Sequence, residues 1–574
     1  MQTVRPHPIA AESEFRLAHN LPTHEEDRLA RTPLYGVVKR AMALAHASNA
    51  RGVEPEALLE AVGRAGVERM TRRRFVGLSA LGVTGVVSGC SAGGRSGGVA
   101  GGDPVVIVGA GIAGLTAAYR LRQAGVPFRQ FDAQNRVGGR MLSLRDFFPD
   151  GQVCELGGEL IDTPHASIRA LAAELGIALD DLSVEPSGMA METLYFGGAK
   201  RTEVELVEAF RPVAARMAAD TSAVGDEPTM RDPAGATGLD SESVAEWLER
   251  SGVTGWVRDL LRVAYTTEYG LEIDRQSSLN LLLMIESDPF RIFGESDERF
   301  HVRGGNDLIT SALAERVQDA VEPTTVLEAV ALRPDGRYAC AFARNSGTFE
   351  VTSSDVILAI PFTLLREVRL DVDLPPAKRR AIDELGYGTN AKLMIGFGGR
   401  VWRERHGSNG STFSDLPFQL VWETSRAQSG QAGILTNFTG GDHGVEIGTG
   451  SASARAAEVV LDLERIYPGI AGDRMGMREA RMHWPTHPWV RGSYAGYLVG
   501  QWTTIRGVEG EPVGRLRFAG EHCSLRAQGF MEGGCETGDR AAREVLAARG
   551  VRVSAVSRRT LLSLLSAAPT PVSR

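Results

Sequence analysis

Residues 105 to 121 read Val105-Val-Ile-Val-Gly109-Ala-Gly111-Ile-Ala-Gly114-Leu-Thr-Ala-Ala-Tyr-Arg-Leu121, and they indicate how the chain folds. Four consecutive β-favouring apolar residues predict a strand buried on both faces, and the Ala- and Leu-rich run after them predicts a helix. Between the two lies G-x-G-x-x-G, in which Gly109 permits a tight turn, Gly111 lets the backbone approach a pyrophosphate, and Gly114 packs the helix on the strand. The N–H groups at the start of this helix suit an anion.

A second strand-like run over residues 126–131 supports dinucleotide binding. It ends in Asp132, about 20 residues after the glycine turn, where an acid takes the ribose hydroxyls of a dinucleotide. An ordinary glycine-rich turn between a strand and a helix would need no acid at this place. We therefore predict a dinucleotide-binding βαβ unit.

The next motif separates flavin from nicotinamide. Ala133-Gln-Asn-Arg136-Val-Gly138-Gly139-Arg140 offers a second glycine turn, where backbone can touch a ligand, with a guanidinium on either side. A nicotinamide-only unit has no standing need for such a turn. Together with later motifs it resembles the FAD-dependent amine oxidase superfamily, which includes monoamine and polyamine oxidases, L-amino acid oxidases and desaturases. The resemblance covers residues 103 to 550.

The resemblance implies an α/β fold, with a Rossmann-like FAD-binding domain of discontinuous segments and an α+β substrate-binding domain. We expect the first domain over residues 103–165, 301–365 and 500–550, and the second over residues 166–300 and 366–499. Within the second domain, residues 166 to about 289 carry helical periodicity. The other parts are an N-terminal extension (1–70), a signal with its linker (71–102) and a tail (551–574).

The cofactor-binding residues implied by the resemblance lie in glycine turns, at strand ends and at the start of the last helix. They are Gly109, Gly111, Ala113, Gly114, Asp132, Ala133, Arg136, Gly139, Arg140, Gly157, Gly158, Glu159, Val326, Gly520, Glu521, Gly529, Phe530 and Met531. Where covalent monoamine oxidases carry a flavin-bonding cysteine, this chain has Ser493, so we expect FAD that is bound non-covalently. A helix that starts near Met531 would stabilise negative charge on a reduced flavin.

Three residues are assigned to catalysis by the same resemblance. Lys392 follows Tyr387-Gly in the family's spacing and would hold a water beside flavin N5, where a cation assists the reaction with O2. Taken alone, a lysine in such an alternating run more often marks an edge or solvent-facing position. Tyr494 and Phe530 would form two walls of an aromatic cage that orients an amine. Each aromatic alone would be read as core packing.

The substrate is indicated by what the chain lacks. The turn Gly157-Gly158 resembles the family's next flavin-contacting turn, where paired glycines pass close to the isoalloxazine ring. L-amino acid oxidases place an arginine shortly after this turn to hold the substrate carboxylate, and this chain has Glu159-Leu160-Ile161 there. We therefore expect oxidative deamination of a primary amine or polyamine, with O2 reduced to hydrogen peroxide. The alternatives are an L-amino acid oxidase, a related desaturase or dehydrogenase, and a flavin-binding protein without catalysis. The sequence leaves the oligomeric state open.

Composition excludes other classes. The net charge is −8 without a basic patch, which gives no support for nucleic-acid binding. The five cysteines show neither CxxC nor metal spacing, so neither a disulfide framework nor a zinc site is indicated. A proline separates His483 from His487 and opposes the helix that would present both to a metal. We expect no metal.

A twin-arginine-type signal is predicted at residues 71–90, with Arg72-Arg73, Phe75 and a short, glycine-rich apolar core. It implies export as a folded protein to a periplasmic or other extracytoplasmic place. The signal ends in a box that resembles a lipoprotein cleavage site, so Cys90 is either a lipid anchor or a chance thiol in the linker. Because residues 1–70 precede the signal, translation starts either at Met1 or at Met70.

Overall fold

The computed structural model describes residues 33–60, 102–184, 186, 188–225, 227–284 and 297–551. The twin-arginine motif, Cys90 and almost all of the tail lie outside them. The strand predicted from the first glycine motif is the centre of a five-stranded parallel sheet, and all its residues are buried. In spatial order the strands are Leu516–Phe518, Val356–Leu358, Val105–Val108, Phe128–Phe131 and Val321–Glu322.

Four helices accompany this sheet, namely Ile112–Gln123, Ala166–Leu175, Asp307–Val317 and Met531–Ala548. The first and the last pack closely, because Gly538 has no side chain: a Cβ there would lie 2.2 Å from the carbonyl oxygen of Ala113. The chain's last described helix is thereby held against the helix of the first glycine motif.

A second sheet of four strands contains a hairpin at Pro334-Asp335-Gly336, which these turn-forming residues predict. In spatial order its strands are Gly347–Ser353, Tyr338–Arg344, Val326–Leu332 and Arg369–Asp371. The last strand pairs in parallel with residues 329–331. The sheet therefore continues past residue 365, where we placed a domain boundary.

The third sheet has seven strands and carries Lys392. In spatial order they are Arg474–His483, Ala391–Phe397, Gly433–Thr439, Leu420–Glu423, Thr412–Ser414, Thr193–Phe196 and Ala199–Arg201. The strand of Lys392 is paired on both sides and buried throughout. Lys392 therefore lies inside the sheet, and not at an edge or in solvent as a lysine in such a run more often does.

The region predicted as helical between residues 166 and 289 also contains strands, which corrects that prediction. The hairpin Thr193–Phe196 and Ala199–Arg201 joins the seven-stranded sheet through Thr412–Ser414, more than two hundred positions away in the chain. A short strand, Leu179–Asp181, pairs with Phe300–Val302. The pattern-based prediction failed here because both pairings are supplied by distant residues.

The remaining helices surround this third sheet or connect the layers. They are Pro33–Arg51, Glu203–Thr221, Thr237–Asp240, Val244–Arg250, Gly255–Tyr269, Ser278–Leu282, Phe362–Leu365, Pro376–Glu384, Val401–Glu404, Gly441–Glu446 and Ala452–Glu464. In the part of the chain that the structure describes, no helix is both long and apolar enough to cross a membrane.

The helix Pro33–Arg51 belongs to the folded body, although it precedes the predicted signal. Val38, Leu44 and Ala45 are fully buried, in the same core cluster as residues of Glu203–Thr221. At the helix end, Asn49 donates a hydrogen bond of 2.7 Å to the carbonyl of Arg211. This part of the N-terminal extension therefore packs into the core beside the seven-stranded sheet.

Candidate active site

A cavity of about 570 Å³ lies between the five-stranded sheet and the seven-stranded sheet. All predicted site residues line it except Gly114 and Arg136. The fold thus brings together residues from each of the predicted segments between 103 and 550. Individual roles toward a cofactor or substrate stay predictions.

The two glycine turns face each other at one end of the cavity. Gly111 and Gly138 form a parallel bridge, and a Cβ on Gly139 would lie 3.3 Å from the Cα of Gly111. The helix Ile112–Gln123 starts here without a side-chain cap and without an acid in its first turn. Backbone donors and open space where side chains would otherwise stand fit the pyrophosphate of FAD.

Gly114 has a packing role in the same turn. A Cβ there would lie 2.0 Å from the carbonyl oxygen of Gly109, so only glycine allows the helix to approach the strand this closely. Arg136 supports the second turn from behind. Its guanidinium donates to the carbonyls of Val137 and Gly139, at 3.1 and 2.8 Å.

Asp132 stands beside the first turn with its carboxylate partly engaged. Oδ2 accepts a hydrogen bond of 2.6 Å from the Ala110 N–H, and Oδ1 accepts one of 2.8 Å from the Gln134 N–H. Burial raises the pKa of Asp132 in spite of these donors. The residue lines the cavity and also braces the turn.

Arg140 and Glu521 connect distant parts of the cavity wall. Nη1 of Arg140 lies 2.8 Å from Oε1 of Glu521 and 2.8 Å from the carbonyl oxygen of Ser493. Oε2 of Glu521 accepts a 2.8 Å hydrogen bond from the Gly529 N–H. Glu521 therefore fixes both the arginine and the turn that leads into the last helix.

The aromatic walls come from several elements. Tyr494 and Phe530, the predicted cage residues, line the cavity together with Trp422 and Phe438, which sequence reasoning did not single out as site residues. The Tyr494 hydroxyl donates a 3.0 Å hydrogen bond to the carbonyl of Glu268. No motif marks Trp422 or Phe438, because their place in the cavity comes from sheet pairing alone.

His165 backs the Phe530 ring. The two rings meet edge to face, with their centroids 4.9 Å apart. Burial, followed by the charge of Arg169, lowers the pKa of His165 to about 3. The imidazole is therefore neutral at physiological pH and adds no positive charge behind the cage.

Lys392 forms a buried ion pair with Glu159. Its Nζ lies 2.7 Å from Oε2 of Glu159, 2.8 Å from the carbonyl oxygen of Gly157 and 3.2 Å from that of Glu155. An ammonium group has three donors, and all three are directed at protein oxygens. The predicted water beside flavin N5 would therefore need one of these contacts to be released.

Glu159 is occupied on both of its oxygens. Oε1 accepts hydrogen bonds of 2.9 Å from Nε1 of Trp422 and 2.9 Å from Oγ1 of Thr424. Burial raises the pKa of Glu159, but the charge and hydrogen bond of Lys392 outweigh it, so the net shift is downward. The carboxylate is thus ionised and held against the seven-stranded sheet, by Lys392 on one oxygen and by Trp422 and Thr424 on the other.

Two further acidic residues lie close together in the wall. Glu298 and Asp162 line the cavity, and the Glu298 N–H donates a 2.5 Å hydrogen bond to Oδ1 of Asp162. Burial, and then the charge of Asp162, raise the pKa of Glu298 well above its usual range. No sequence motif indicated either residue. Within the described ranges, no three His, Cys, Asp or Glu side chains form a group that could hold a metal.

Comparison with known proteins gives one family. A family model described as flavin-containing amine oxidoreductase matches residues 112–546. The chain is 26% identical over 461 residues to the putative L-amino-acid oxidase YobN of Bacillus subtilis, covering 77% of this chain and 94% of the relative. It is 26% identical over 468 residues to the putative flavin-containing monoamine oxidase AofH of Mycobacterium tuberculosis, covering 77% and 96%.

A solved structure shares the fold. Cyclohexylamine oxidase from Brevibacterium oxydans superimposes with a TM-score of 0.69 at 20% sequence identity, covering 78% of this chain and 99% of that one.

Proposed function

This chain belongs to the family of flavin-containing amine oxidoreductases, and we propose that it deaminates a primary amine or a polyamine oxidatively and reduces O2 to hydrogen peroxide. FAD is the cofactor. When bound, FAD supplies the redox chemistry by accepting a hydride equivalent from the amine and passing electrons to O2. The glycine turns, Arg140 and Glu521 are the residues that would hold it.

The charge of the cavity wall supports an amine substrate. Among the residues that the structure describes, the lining carboxylates are Asp132, Glu159, Asp162, Glu298, Glu328, Glu367 and Glu521, and the lining cations are Arg140, Lys392 and Arg491. Both arginines are already paired, with Glu521 and Glu367. Each lining cation is therefore paired with a lining carboxylate, and Glu298 is not counted as a negative charge because its pKa is raised well above its usual range. A substrate carboxylate needs a bidentate arginine, whereas the remaining acidic residues favour the approach of an amine.

The aromatic residues would position the amine. Tyr494, Phe530 and Trp422 line the cavity, and aromatic rings in such a wall orient an amine and keep it desolvated. Because His165 is neutral, it adds no positive charge behind the ring of Phe530. Among the described residues that line the cavity, none is a convincing general base, so the reacting amine would be in its neutral form. We expect activity to rise toward alkaline pH, and a flat profile would contradict neutral-amine binding.

The proposal is tested by assaying peroxide and carbonyl products with a panel of monoamines, diamines, polyamines and L-amino acids. Aldehyde and peroxide formed from an amine would support it. Keto acid formed only from amino acids would establish the main alternative, which the relative named putative L-amino-acid oxidase favours. Substrate oxidation without peroxide would indicate a desaturase or a dehydrogenase with another acceptor.

We propose that FAD is bound non-covalently. Ser493 cannot form a thioether, and its Oγ donates a 2.6 Å hydrogen bond to Oδ1 of Asn390. Acid precipitation should therefore release the yellow colour into the supernatant, and colour retained on the protein would contradict this.

We also propose export by the twin-arginine route, supported by the motif at residues 71–90. Cleavage before Cys90 would separate the packed helix Pro33–Arg51 from the rest of the chain. We therefore expect the exported enzyme to keep this helix. The intact mass of the protein recovered from outside the cytoplasm tests whether residues 33–60 remain and whether Cys90 carries lipid.

A further inference from the structure

Lys392 and Glu159 form an ion pair in which both charges are buried and each compensates the other. The lysine lies on a strand paired on both sides and is 5% exposed, and the carboxylate is 8% exposed. A single buried ion in such a place would be costly, and a partner with satisfied hydrogen bonds offsets much of that cost. Both charges therefore depend on each other for their place in the cavity wall.

We propose that Glu159 is the counter-ion and positioning residue of Lys392, so that the pair rather than the lysine alone sets the electrostatic potential at the flavin end of the cavity. The proposal rests on the proposed function only for its consequence in the reaction with O2. Sequence reasoning assigned Glu159 to the cofactor. Its two oxygens accept hydrogen bonds from Lys392, Trp422 and Thr424, and its role toward the cofactor stays a prediction.

The location of the pair connects it with the cofactor. Lys392 donates to the carbonyl of Gly157, in the turn that we predict to pass close to the flavin ring. The same turn packs against the start of the last helix, since a Cβ on Gly158 would lie 2.8 Å from Cγ of Met531. A change of charge at Glu159 should therefore be felt at this turn.

The hydrogen bonds on Oε1 keep the carboxylate from turning away. Trp422 and Thr424 hold this oxygen, while Oε2 stays on the ammonium, whose Nζ lies 5.3 Å from the centroid of the Trp422 ring. A fixed pair of opposite charges attenuates the positive potential that the lysine would exert alone. Reaction with O2, which builds negative charge, should be slower than with an uncompensated lysine.

The test is a cycle of midpoint potentials of bound FAD, measured with a chemical reductant in the wild type, Glu159→Gln, Lys392→Met and the double variant. Glu159→Gln removes a negative charge and should raise the potential, while Lys392→Met should lower it. The double variant should lie between the two, near the wild type. A lowered or unchanged potential in Glu159→Gln would overturn the proposal. Where that single variant does not fold, the double variant should have a higher potential than Lys392→Met.

Reoxidation of the chemically reduced protein by O2 gives a second reading that needs no amine. Glu159→Gln should reoxidise several-fold faster than the wild type, and the double variant should not. Thr424→Val is the matched control, because it removes a hydrogen bond from Glu159 and keeps both charges. If Thr424→Val shifted the midpoint potential of FAD as much as Glu159→Gln does, Glu159 would have only a structural role. Because neither measurement uses an amine, a wrong substrate assignment would not affect them.

Discussion

The α-carbons of Gly111 and Gly139 face each other across the start of the helix Ile112–Gln123, and a Cβ on Gly111 would have the Cα of Gly139 as its nearest contact, at 3.9 Å. A Cβ at position 111 therefore fits the protein but enters the space that we assign to the pyrophosphate. We expect Gly111→Ala to fold with near-native stability and to lose FAD affinity by at least about tenfold, which corresponds to ~1.4 kcal/mol. Flavin absorbance after gel filtration and the thermal midpoint of the apoprotein measure the two effects.

Gly114→Ala is the matched comparison, because its Cβ would lie 2.0 Å from the carbonyl oxygen of Gly109. This variant should lose ~1–3 kcal/mol of stability through overpacking. FAD bound to Gly111→Ala with wild-type affinity would contradict the assignment of this turn to the pyrophosphate.

Lys392→Met should slow flavin reoxidation by O2 by about a hundredfold, while flavin reduction by the amine changes far less, because the cation acts most strongly on the superoxide-like charge that develops in the oxidative half-reaction. Stopped-flow absorbance measures the two half-reactions separately. Leu393→Met is the control, since Leu393 is buried on the opposite face of the same strand. Equal slowing of both half-reactions would show that Lys392 has no specific role in the reaction with O2.

Lowering the pH should destabilise the folded protein, because His522 takes up a proton more readily in the unfolded chain. Burial lowers the pKa of His522 to about 3, whereas an unfolded chain takes up this proton near pH 6.5. Its stabilising contribution is therefore present above pH ~6.5 and is lost as the pH falls toward 3, at up to ~1.4 kcal/mol per pH unit. In His522→Leu the free energy of unfolding should depend less steeply on pH between 6.5 and 5. An unchanged slope, measured by denaturant titration, would show that His522 is not the responsible group.

The helix Pro33–Arg51 should be needed for stability. Leu44 is fully buried in the core beside the seven-stranded sheet, so Leu44→Ala should lower the free energy of unfolding by ~2–5 kcal/mol. Ala50→Ser, at an exposed position of the same helix, should cost almost nothing. A protein started at Met70 should be poorly soluble or strongly destabilised. Full stability of that shorter protein would mean that the helix is dispensable.

Local patterns predicted the elements whose signals are local. The strand Val105–Val108, the helix Ile112–Gln123, the hairpin at residues 334–336 and the helix Met531–Ala548 were all predicted from residues within them or next to them. Glycine spacing fixes such turns, because few other residues tolerate the same backbone approach.

Features that depend on distant partners were not predictable in this way. Glu159 and Lys392 are separated by 233 positions, and only the stacking of the sheets brings them into contact. The hairpin from Thr193 to Arg201 was predicted as part of a helical region, because its partner strand lies far along the chain. The acidic group around Glu298 has no motif either, since it arises where separate loops meet.

The most direct test of the proposed function is anaerobic titration of the purified holoenzyme with amines and amino acids, following flavin absorbance. We expect a primary amine or a polyamine to bleach the flavin and air to restore the colour with formation of peroxide. Bleaching by amino acids alone, or by none of these compounds, would contradict it.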